Sequence, residues 1–545
     1  MIESTMMDFP LVLPRILDRI RHLFSDVEVV SVQPDHTHHQ YHYREFYDRT
    51  LRLANALSAL GLNPGDRVAT LMWNHYVHLE SYFAIPSAGY VLHTLNLRLH
   101  PEDLAYLIHH AEDQVVIVDD VLWPLWQQVA PLVSVNIVVV VPWTGTPMPD
   151  GAINYETWIS SYDTNFSYPS IQETAAAGMC YTSGTTGKPK GVVYSHRSLI
   201  LQALSVGMGA VLSITPQDTV CPIVPMFHIN AWGIPVLSSM VGARLVFPGP
   251  YLGPTQLLDL FSKERVTKAV GIPTVWMSVL QEYEKSPAAW DLNGLKEIGS
   301  GGAPVPEALI QSYDFYGIRL LQGFGMTETA GVATFSVLQN TLTNEPEATQ
   351  YTYRAKAGMP IPLAETRIAA LDDDQVMLPQ DNQAIGELQV RGPFVARSYY
   401  NRPDTEENWT ADGWFRTGDV AAIDDKGYVR IVDRTKDLIK SGGEWISSVD
   451  LENALMAHPE VKEAAVIGLP HPKWQERPIA AVVLKDNARV TEPELLQFIS
   501  DRFPKWWLPD RIIFMNVLPK TTTGKFLKTA LREQIAQSLA DRTQS

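Results

Sequence analysis

Residues Tyr181 to Gly191, YTSGTTGKPKG, bring glycines, hydroxyl side chains and lysines together in one short segment. Glycine lets the backbone approach an anion closely and adopt positive φ, so that successive N–H groups can converge on it. Hydroxyls add hydrogen-bond donors, and lysines add mobile positive charge. The segment therefore predicts a phosphate-binding loop. The residues expected to contact the phosphates are Thr182, Ser183, Gly184, Thr185, Thr186, Gly187, Lys188 and Lys190.

The segment does not fit the Walker pattern of P-loop nucleoside triphosphatases, G-x-x-x-x-G-K-[ST]. Thr182 stands where that pattern has its first glycine, and Pro189 stands where it has the hydroxyl that binds magnesium. Both departures argue against a P-loop nucleoside triphosphatase, but a triphosphate is still the expected ligand of such a donor-rich loop.

Composition favours a multidomain globular protein. The chain has 545 residues, of which 46% are hydrophobic and 19% charged, and length alone predicts several structural units. The net charge of −17 argues against a nucleic-acid partner, whose phosphates would need clustered Lys and Arg. Cys180 and Cys221 are too few for a disulfide framework or a cysteine metal site, and both are predicted to be buried.

The sequence MIESTMMDFP does not resemble a secretory signal, and apolar runs are too short to span a membrane. A cytoplasmic location and no transmembrane segment are therefore expected. The sequence leaves the oligomeric state open, with a homodimer as one alternative.

Hydrophobic periodicity predicts an α/β fold. Phe46 to Leu60 has helical spacing, and Gly61 follows as a stop. The runs 68–72, 115–118 and 137–141 have the pattern of buried strands, which favours largely parallel sheets covered by helices on both faces.

The C-terminal hundred or so residues predict a separate α+β unit. Strand patterns at 464–469 and 480–484 precede a helix that Thr491 and Glu494 would start as a capping box. The charged stretch 433–437, DRTKD, suits an exposed connection, and the domain boundary is placed there.

Four further segments follow the phosphate loop: GFGMTET (323–329), GWFRTGD (413–419), DRTKDLIKSGGEWIS (433–447) and PKTTTGK (519–525). In this order they closely resemble the motifs of the adenylate-forming superfamily, which contains acyl-CoA synthetases, luciferases and peptide-synthetase adenylation domains. VPMFHINAW (224–232) and KSGGEWISSVDLE (440–452) look most like medium- and long-chain fatty acyl-CoA synthetases.

This resemblance implies a two-domain architecture. Residues 1–433 would form a large N-terminal AMP-binding domain of layered α/β subdomains, with mostly parallel sheets and a small β-subdomain. Residues 434–437 would be the hinge, and 438–545 a small mobile α+β lid domain. Lys436 occupies the hinge position of the family.

The resemblance also implies a two-step reaction. A carboxylate attacks the α-phosphate of ATP to give acyl-adenylate and pyrophosphate, and the thiol of coenzyme A then displaces AMP. Because both reactants of the first step are anions, the site must supply positive charge and fixed donors rather than acid–base groups. ATP, Mg²⁺, coenzyme A and a small-molecule carboxylate are thus the expected ligands.

Within GFGMTET, the resemblance assigns adenine stacking to Phe324 and an α-phosphate contact to Thr327. It gives Glu328 and Thr185 the role of magnesium ligands, and carboxylate oxygen is what a hard cation prefers. Asp419 would hold the ribose hydroxyls. The other residues expected at the nucleotide are Gly302, Ala303, Pro304, Gly323, Gly325, Met326, Arg434, Lys440 and Trp445. For Trp445, a place in the core fits the sequence equally well.

Lys525 matches the catalytic lysine that bridges the carboxylate and the α-phosphate, then withdraws as the 441–443 loop arrives for thioester formation. His228 matches an aromatic residue that closes on the substrate carboxylate, and Trp232 matches a residue that gates the acyl tunnel. Taken without the motif, His228 would be structural and Trp232 would fit a core position.

Several alternatives stay open on the sequence. The carboxylate could be short or sulfur-containing, such as a methylthioalkanoate, because relatives that act on those acids share the PMFHINAW pattern. A carrier-protein-loading adenylation enzyme and a luciferase-like monooxygenase would share the same motifs.

Overall fold

The structure is a computed structural model that describes residues 2, 4–135, 137–182, 188–209, 211–441, 444–485, 488–520 and 526–543, without the side chains of Glu444 and residues 538–543. Two large sheets dominate the N-terminal region. The nine-stranded sheet has, in spatial order, the strands Met359–Pro360, Thr334–Phe335, Arg319–Phe324, Glu297–Ser300, Lys268–Gly271, Thr219–Pro222, Arg244–Phe247, Glu28–Val32 and His38–His42. The seven-stranded sheet has Ile153–Asn154, Ile137–Val141, Asp113–Asp119, Arg67–Leu71, Val91–Thr94, Ala176–Tyr181 and Gly191–Ser195.

Both sheets are parallel in their interior and antiparallel at an edge. The six strands from Arg319–Phe324 to Glu28–Val32 pair in parallel, as do the six from Ile153–Asn154 to Ala176–Tyr181. Strand Gly191–Ser195 pairs antiparallel with Ala176–Tyr181. Parallel strands buried on both faces need continuous apolar sequence, as in Ile137–Val141, IVVVV.

Helices form three layers around the two large sheets. A middle layer packs between them, in one apolar core with residues of both: Leu13–Leu23, Tyr43–Ser58, Tyr76–Ser87, Tyr155–Ser160, His196–Gly207 and Ile234–Val241. The outer layers are Pro254–Glu264, Pro273–Lys285, Glu307–Phe315 and Glu347–Arg354 on the nine-stranded sheet, and Pro101–Ala111 and Trp123–Val129 on the seven-stranded one.

A small antiparallel sheet completes the N-terminal region. Its strands are Glu365–Ala369, Gly386–Arg391, Phe415–Ile423 and Val429–Arg434. The short 3₁₀ helices of the described chain are Asp120–Leu122, Ala130–Leu132, Ile229–Gly233, Pro287–Ala289, Thr327–Thr329, Asn340–Leu342 and Pro403–Asn408.

The C-terminal unit, from Ile439 onward, has its own sheet of Glu444–Ile446, Ile439–Ser441, Gln475–Leu484 and Val461–His471, with Arg511–Phe514 alongside Gln475–Leu484. The alternation of strand side chains gives this sheet two apolar faces. Ala464 and Val466 pack with helices Ser448–Met456 and Glu492–Ser500, whereas Ala465 and Ile467 pack with helix Lys528–Thr543.

The predicted fold class is therefore confirmed: layered α/β sheets, a small β-subdomain and a C-terminal α+β unit. The Thr491 capping box is present, with the Thr491 N–H donating to Glu494 Oε2 at 2.8 Å. Cys180 and Cys221 are buried as expected. Among the described residues, none of the helices has both the length and the apolar character to cross a bilayer. The boundaries at 433 and 438 stay predictions.

Candidate functional site

Three cavities meet beside the small sheet. The apolar cavity has a volume of about 80 Å³ and is lined by residues that include Val224, Phe227, His228, Trp232, Ile272 and Val275. The interdomain cavity, of about 390 Å³, is lined by residues that include Ala303, Pro304, Phe324, Asp419, Arg434 and Asn453. The polar cavity, of about 620 Å³, is lined by residues that include Thr182, Lys188, Lys190, Thr327, Glu328 and Arg416.

Shared walls show that these cavities adjoin. Gly302, Gly323 and Gly325 line both the apolar and the interdomain cavity. His228 lines the apolar and the polar cavity, and Arg434 lines the polar and the interdomain cavity. Most of the described candidate residues thus line one of three adjoining cavities.

Glycine is required at the wall of the apolar cavity, where it borders the interdomain cavity, because the backbone segments approach each other too closely for a side chain. A Cβ atom on Gly325 would lie 2.3 Å from the Gly331 carbonyl oxygen, and one on Gly301 would lie 2.9 Å from that of Gly323. Any larger residue at these positions would push the strand ends apart.

Two hydrogen bonds between Thr182 and Lys190 join the two ends of the phosphate loop where it leaves the seven-stranded sheet. The Thr182 N–H donates to the Lys190 carbonyl at 3.0 Å, and the Lys190 N–H donates to Thr182 Oγ1 at 3.1 Å. Thr182, Lys188 and Lys190 all line the polar cavity. The other predicted phosphate contacts, Ser183, Gly184, Thr185, Thr186 and Gly187, lie outside the described residues.

The GFGMTET segment lies between two of the cavities. Phe324 ends strand Arg319–Phe324 and lines the interdomain cavity, while Met326, Thr327 and Glu328 line the polar cavity. Thr327 and Glu328 are only 4% and 6% exposed. The Tyr194 hydroxyl donates to the Thr327 carbonyl at 2.7 Å, which fixes the short 3₁₀ turn against the neighbouring strand.

Glu328 has a partner that the motifs do not predict. The Tyr399 hydroxyl donates to Glu328 Oε1 at 2.5 Å. Burial, together with the adjacent Glu328 carboxylate, raises the pKa of Tyr399, so that the hydroxyl keeps its proton at neutral pH. Tyr399 belongs to ARSYY (396–400), which lies between the motifs and carries no separate sequence signal.

Asp419 and Arg434 face each other across neighbouring antiparallel strands of the small sheet. Arg434 Nε lies 2.8 Å from Asp419 Oδ1, and the aspartate is 3% exposed. The carboxylate at the wall of the interdomain cavity is an acceptor group of the kind that binds paired hydroxyls.

His228 and Trp232 are held by an unusual turn. Ile229, Asn230, Ala231 and Trp232 all have left-handed backbones, with φ between 46° and 57°. Such geometry costs roughly 1–2 kcal/mol for each non-glycine residue and persists only where surrounding contacts enforce it. Here Gln202 Nε2 donates to the Trp232 carbonyl at 2.9 Å. The sequence HINAW, which has no glycine before Gly233, gives no sign of this geometry.

The C-terminal unit reaches the interdomain cavity with residues 526–529. The two ends of the PKTTTGK loop are also joined by a hydrogen bond, in which the Leu527 N–H donates to the Pro519 carbonyl at 2.8 Å. Lys525, the predicted catalytic lysine, lies in this loop but outside the described residues. Lys528 is anchored instead, with its ammonium 2.8 Å from Glu452 Oε1.

The remaining predicted residues are Lys436, Lys440 and Trp445, and they lie near the connection between the N-terminal region and the C-terminal unit. Lys436 lines the polar and interdomain cavities. The Lys440 ammonium lies 5.1 Å from the centre of the Trp445 ring, and that ring packs against the small apolar cluster of Val420, Val432 and Leu438. Trp445 is half-buried, and its place at the nucleotide stays a prediction.

Two family models together match most of the chain. One, described as AMP-binding enzyme, matches residues 22–400, and the other, described as AMP-binding enzyme C-terminal domain, matches residues 450–525. The chain belongs to the AMP-binding enzyme family. The resemblance that the motifs predicted is therefore confirmed.

Several AMP-binding enzymes are similar to this chain over nearly its whole length. It is 46% identical to a long-chain-fatty-acid–CoA ligase of Thermus thermophilus over 97% of both chains. It is 40% identical to a 3-methylmercaptopropionyl-CoA ligase of Ruegeria lacuscaerulensis, over 98% of this chain and 99% of the relative. The crystal structure of an anthranilate CoA ligase with anthranoyl-AMP superposes with a TM-score of 0.87 at 25% identity, covering 98% and 99% of the two chains.

Proposed function

We propose that the protein is an ATP-dependent carboxylate–CoA ligase, AMP-forming, that activates a medium- or long-chain fatty acid through an acyl-adenylate. The observation that carries this proposal is the junction of the three cavities. An apolar cavity for an acyl chain, a cavity with Asp419 and Phe324 and a cavity with Lys188 and Lys190 adjoin in pairs through shared lining residues. A carboxylate at the end of the apolar cavity beside His228 would face the α-phosphate of a nucleotide in the other two.

The polar cavity fits a triphosphate with a divalent cation. Lys188, Lys190 and Arg434 supply positive charge, and Glu328 supplies a buried carboxylate oxygen, which a hard cation prefers. Bound Mg²⁺ would neutralise phosphate charge. Ser183 to Gly187 would add donors to the β and γ phosphates, and Thr185 would be a second protein ligand of the metal.

In the first half-reaction, a carboxylate oxygen attacks the α-phosphorus, and the bond from that phosphorus to the bridging oxygen of the β-phosphate breaks. Pyrophosphate leaves through the polar cavity. Lys525 would neutralise the charge shared by the carboxylate and the α-phosphate, Thr327 would donate to the α-phosphate, and His228 would confine the carboxylate.

In the second half-reaction, the sulfur of coenzyme A attacks the acyl carbon, the bond from that carbon to the AMP oxygen breaks, and the thiol loses its proton. Asp419 and Phe324 would hold AMP during both steps. Rotation about Lys436 would withdraw Lys525 and bring up the 441–443 loop, with Lys440 beside it.

The test is to incubate the protein with ATP, Mg²⁺, coenzyme A and straight-chain carboxylates from acetate to palmitate, and to measure AMP and acyl-CoA. We expect AMP and acyl-CoA in equal amounts, with the highest kcat/KM on a medium or long chain. Absence of AMP with every carboxylate would reject the ligase. AMP release that coenzyme A does not accelerate would favour a carrier-protein-loading enzyme.

A short or sulfur-containing carboxylate is the second candidate, and the size of the apolar cavity favours it. At about 80 Å³ it is the smallest of the three cavities, and the Trp232 side chain forms part of its wall. A kcat/KM that is highest on 3-methylthiopropionate and falls with chain length would select this candidate. A cytoplasmic location and a homodimer stay predictions.

A further inference from the structure

The chain segment 396–400 links the two sides of the polar cavity. The Ala396 N–H donates to the Glu328 carbonyl at 2.7 Å, and the Tyr400 N–H donates to the Gly191 carbonyl at 2.8 Å. One short segment is therefore bonded both to the turn that carries Glu328 and to the end of the phosphate loop.

Tyr399, between these two anchors, contacts one charged side chain from each side. Its hydroxyl donates to Glu328 Oε1 at 2.5 Å, and its ring lies 4.8 Å from the Lys190 ammonium. All three side chains line the polar cavity. Tyr399 is 7% exposed, and its ring packs edge-on against Trp409 at 5.2 Å, so its position is fixed by packing.

The two contacts have different physical consequences. A hydrogen bond from the hydroxyl restricts the rotation of the Glu328 carboxylate and leaves lone pairs on its oxygens that can bind a cation. The face of an aromatic ring attracts a cation, and this attraction restrains the otherwise flexible Lys190 side chain. Both charges are thereby arranged before a ligand arrives.

We propose that Tyr399 is a positioning residue for the metal–triphosphate complex: it orients Glu328 as a cation ligand through its hydroxyl and restrains Lys190 through its ring. This inference rests on the proposed function, because it takes a nucleotide with a divalent cation to occupy the polar cavity. Partners that orient a metal ligand typically change metal affinity by about 10–100-fold when they are removed.

The first experiment measures cation binding without turnover. Mn²⁺ is titrated into the protein with saturating ATP and no carboxylate, and protein-bound Mn²⁺ is followed by its enhancement of the water-proton relaxation rate, with Mn–ATP in solution as the blank. Tyr399→Phe removes the hydroxyl but keeps the ring. Tyr313→Phe is the matched control, because Tyr313 is equally buried and its hydroxyl donates to the Trp276 carbonyl at 2.7 Å, away from the cavities.

We expect Tyr399→Phe to raise the Mn²⁺ concentration at half-saturation by about tenfold and Tyr313→Phe to leave it within twofold. Tyr399→Leu removes the ring as well, and we expect it also to raise the KM for ATP several-fold. Mn²⁺ binding by Tyr399→Phe that equals wild type would overturn the proposal. So would an equal loss in both phenylalanine variants, since that would indicate a general structural effect.

The second experiment separates the half-reactions. Pyrophosphate–ATP exchange should become more dependent on Mg²⁺ in Tyr399→Phe, while thioester formation from supplied acyl-adenylate stays at the wild-type rate. Equal slowing of both would contradict a role confined to the metal and phosphates. Failure of the proposed function would give a different result. The wild-type protein would bind Mn²⁺ with ATP but would release no AMP with any carboxylate.

Discussion

The N-terminal region and the C-terminal unit supply side chains to the same cavities but hold them in different ways. Thr327, Glu328 and Asp419 are each less than a tenth exposed, and hydrogen-bonded strands or turns fix their backbones. Residues 526–529 come from a unit with its own apolar cores. The first set cannot leave the cavities without local unfolding, whereas the second set can leave by movement of a whole unit.

Polar contacts of the described residues join the two regions, and a movement of the C-terminal unit would break them. The Ser447 hydroxyl donates to the Val432 carbonyl at 2.8 Å, the Ser448 N–H donates to Asp433 Oδ2 at 3.1 Å, and Arg430 lies 3.3 Å from Asp450. We therefore expect groups of the C-terminal unit to serve one half-reaction, and firmly held groups near AMP to serve both.

The largest effect is expected for Lys525→Ala. Adenylation, measured by pyrophosphate–ATP exchange, should fall by about a thousandfold, because a positioned charge is lost from the reacting centre. Thioester formation from supplied acyl-adenylate should be unchanged. Lys520→Ala is the control, since Lys520 lies at the start of the same loop and its ammonium pairs with Glu463 at 2.6 Å. Equal loss of both half-reactions would contradict the contrast between the two regions.

Asp419→Ala should slow both half-reactions, by about a hundredfold each, because the carboxylate that would hold the ribose is lost in both. Calorimetry should show a matching loss of AMP affinity. Asp412→Ala, which removes an aspartate paired with Arg367 at 2.7 Å in the same part of the fold, should leave AMP binding unchanged. An effect of Asp419→Ala on adenylation alone would show that a firmly held residue can also serve a single step.

Lys190→Ala tests a residue of the N-terminal region whose proposed ligand, the β and γ phosphates of ATP, departs as pyrophosphate. Adenylation should fall by about tenfold with a raised KM for ATP, and the thioester step should keep its rate. The control is Lys285→Ala, which breaks a surface pair with Glu282 at 2.7 Å. Slower thioester formation in Lys190→Ala would mean that the polar cavity acts after pyrophosphate has left.

The smallest effect is expected for Asp450→Asn, which weakens the contact between Arg430 and Asp450. Such a partly exposed pair contributes about 0.2–1 kcal/mol, so the ratio of the thioester rate to the adenylation rate should rise by about 1.4- to fivefold. The two rates are measured separately in stopped-flow experiments, with Arg430→Gln as the matched change on the other side. A parallel fall of both rates would argue that this contact does not restrain the C-terminal unit.

The sequence predicted those features of the fold that depend on neighbouring residues. Helix Tyr43–Ser58, strand Ile137–Val141 and the capping box at Thr491 are all specified within a few positions, by periodicity, apolar runs or a cap. The order of strands in each sheet was not predicted. Val29, for example, pairs with Leu245, and nothing local to either residue specifies that pairing.

The candidate site likewise contains residues that the sequence predicted and contacts that it did not. Residues within the motifs, such as Thr327, Asp419 and Lys190, were named from sequence, and the structure places them at the cavities. The contact of Glu328 with Tyr399 was missed, because it joins a motif to a segment far along the chain. The left-handed turn from Ile229 to Trp232 was missed for another reason: distant hydrogen bonds impose it on residues that do not favour it.

That turn has a consequence for how the substrate range of the protein can evolve. Replacing a fully buried tryptophan with a small residue usually costs about 3–5 kcal/mol of stability, and Trp232 is only half-buried. At Trp232, where φ is 57°, glycine would recover roughly 1–2 kcal/mol by relieving the backbone, and the apolar cavity would widen at the same time. A change that enlarges the acyl pocket is therefore less destabilising here than at a wall position with ordinary backbone geometry.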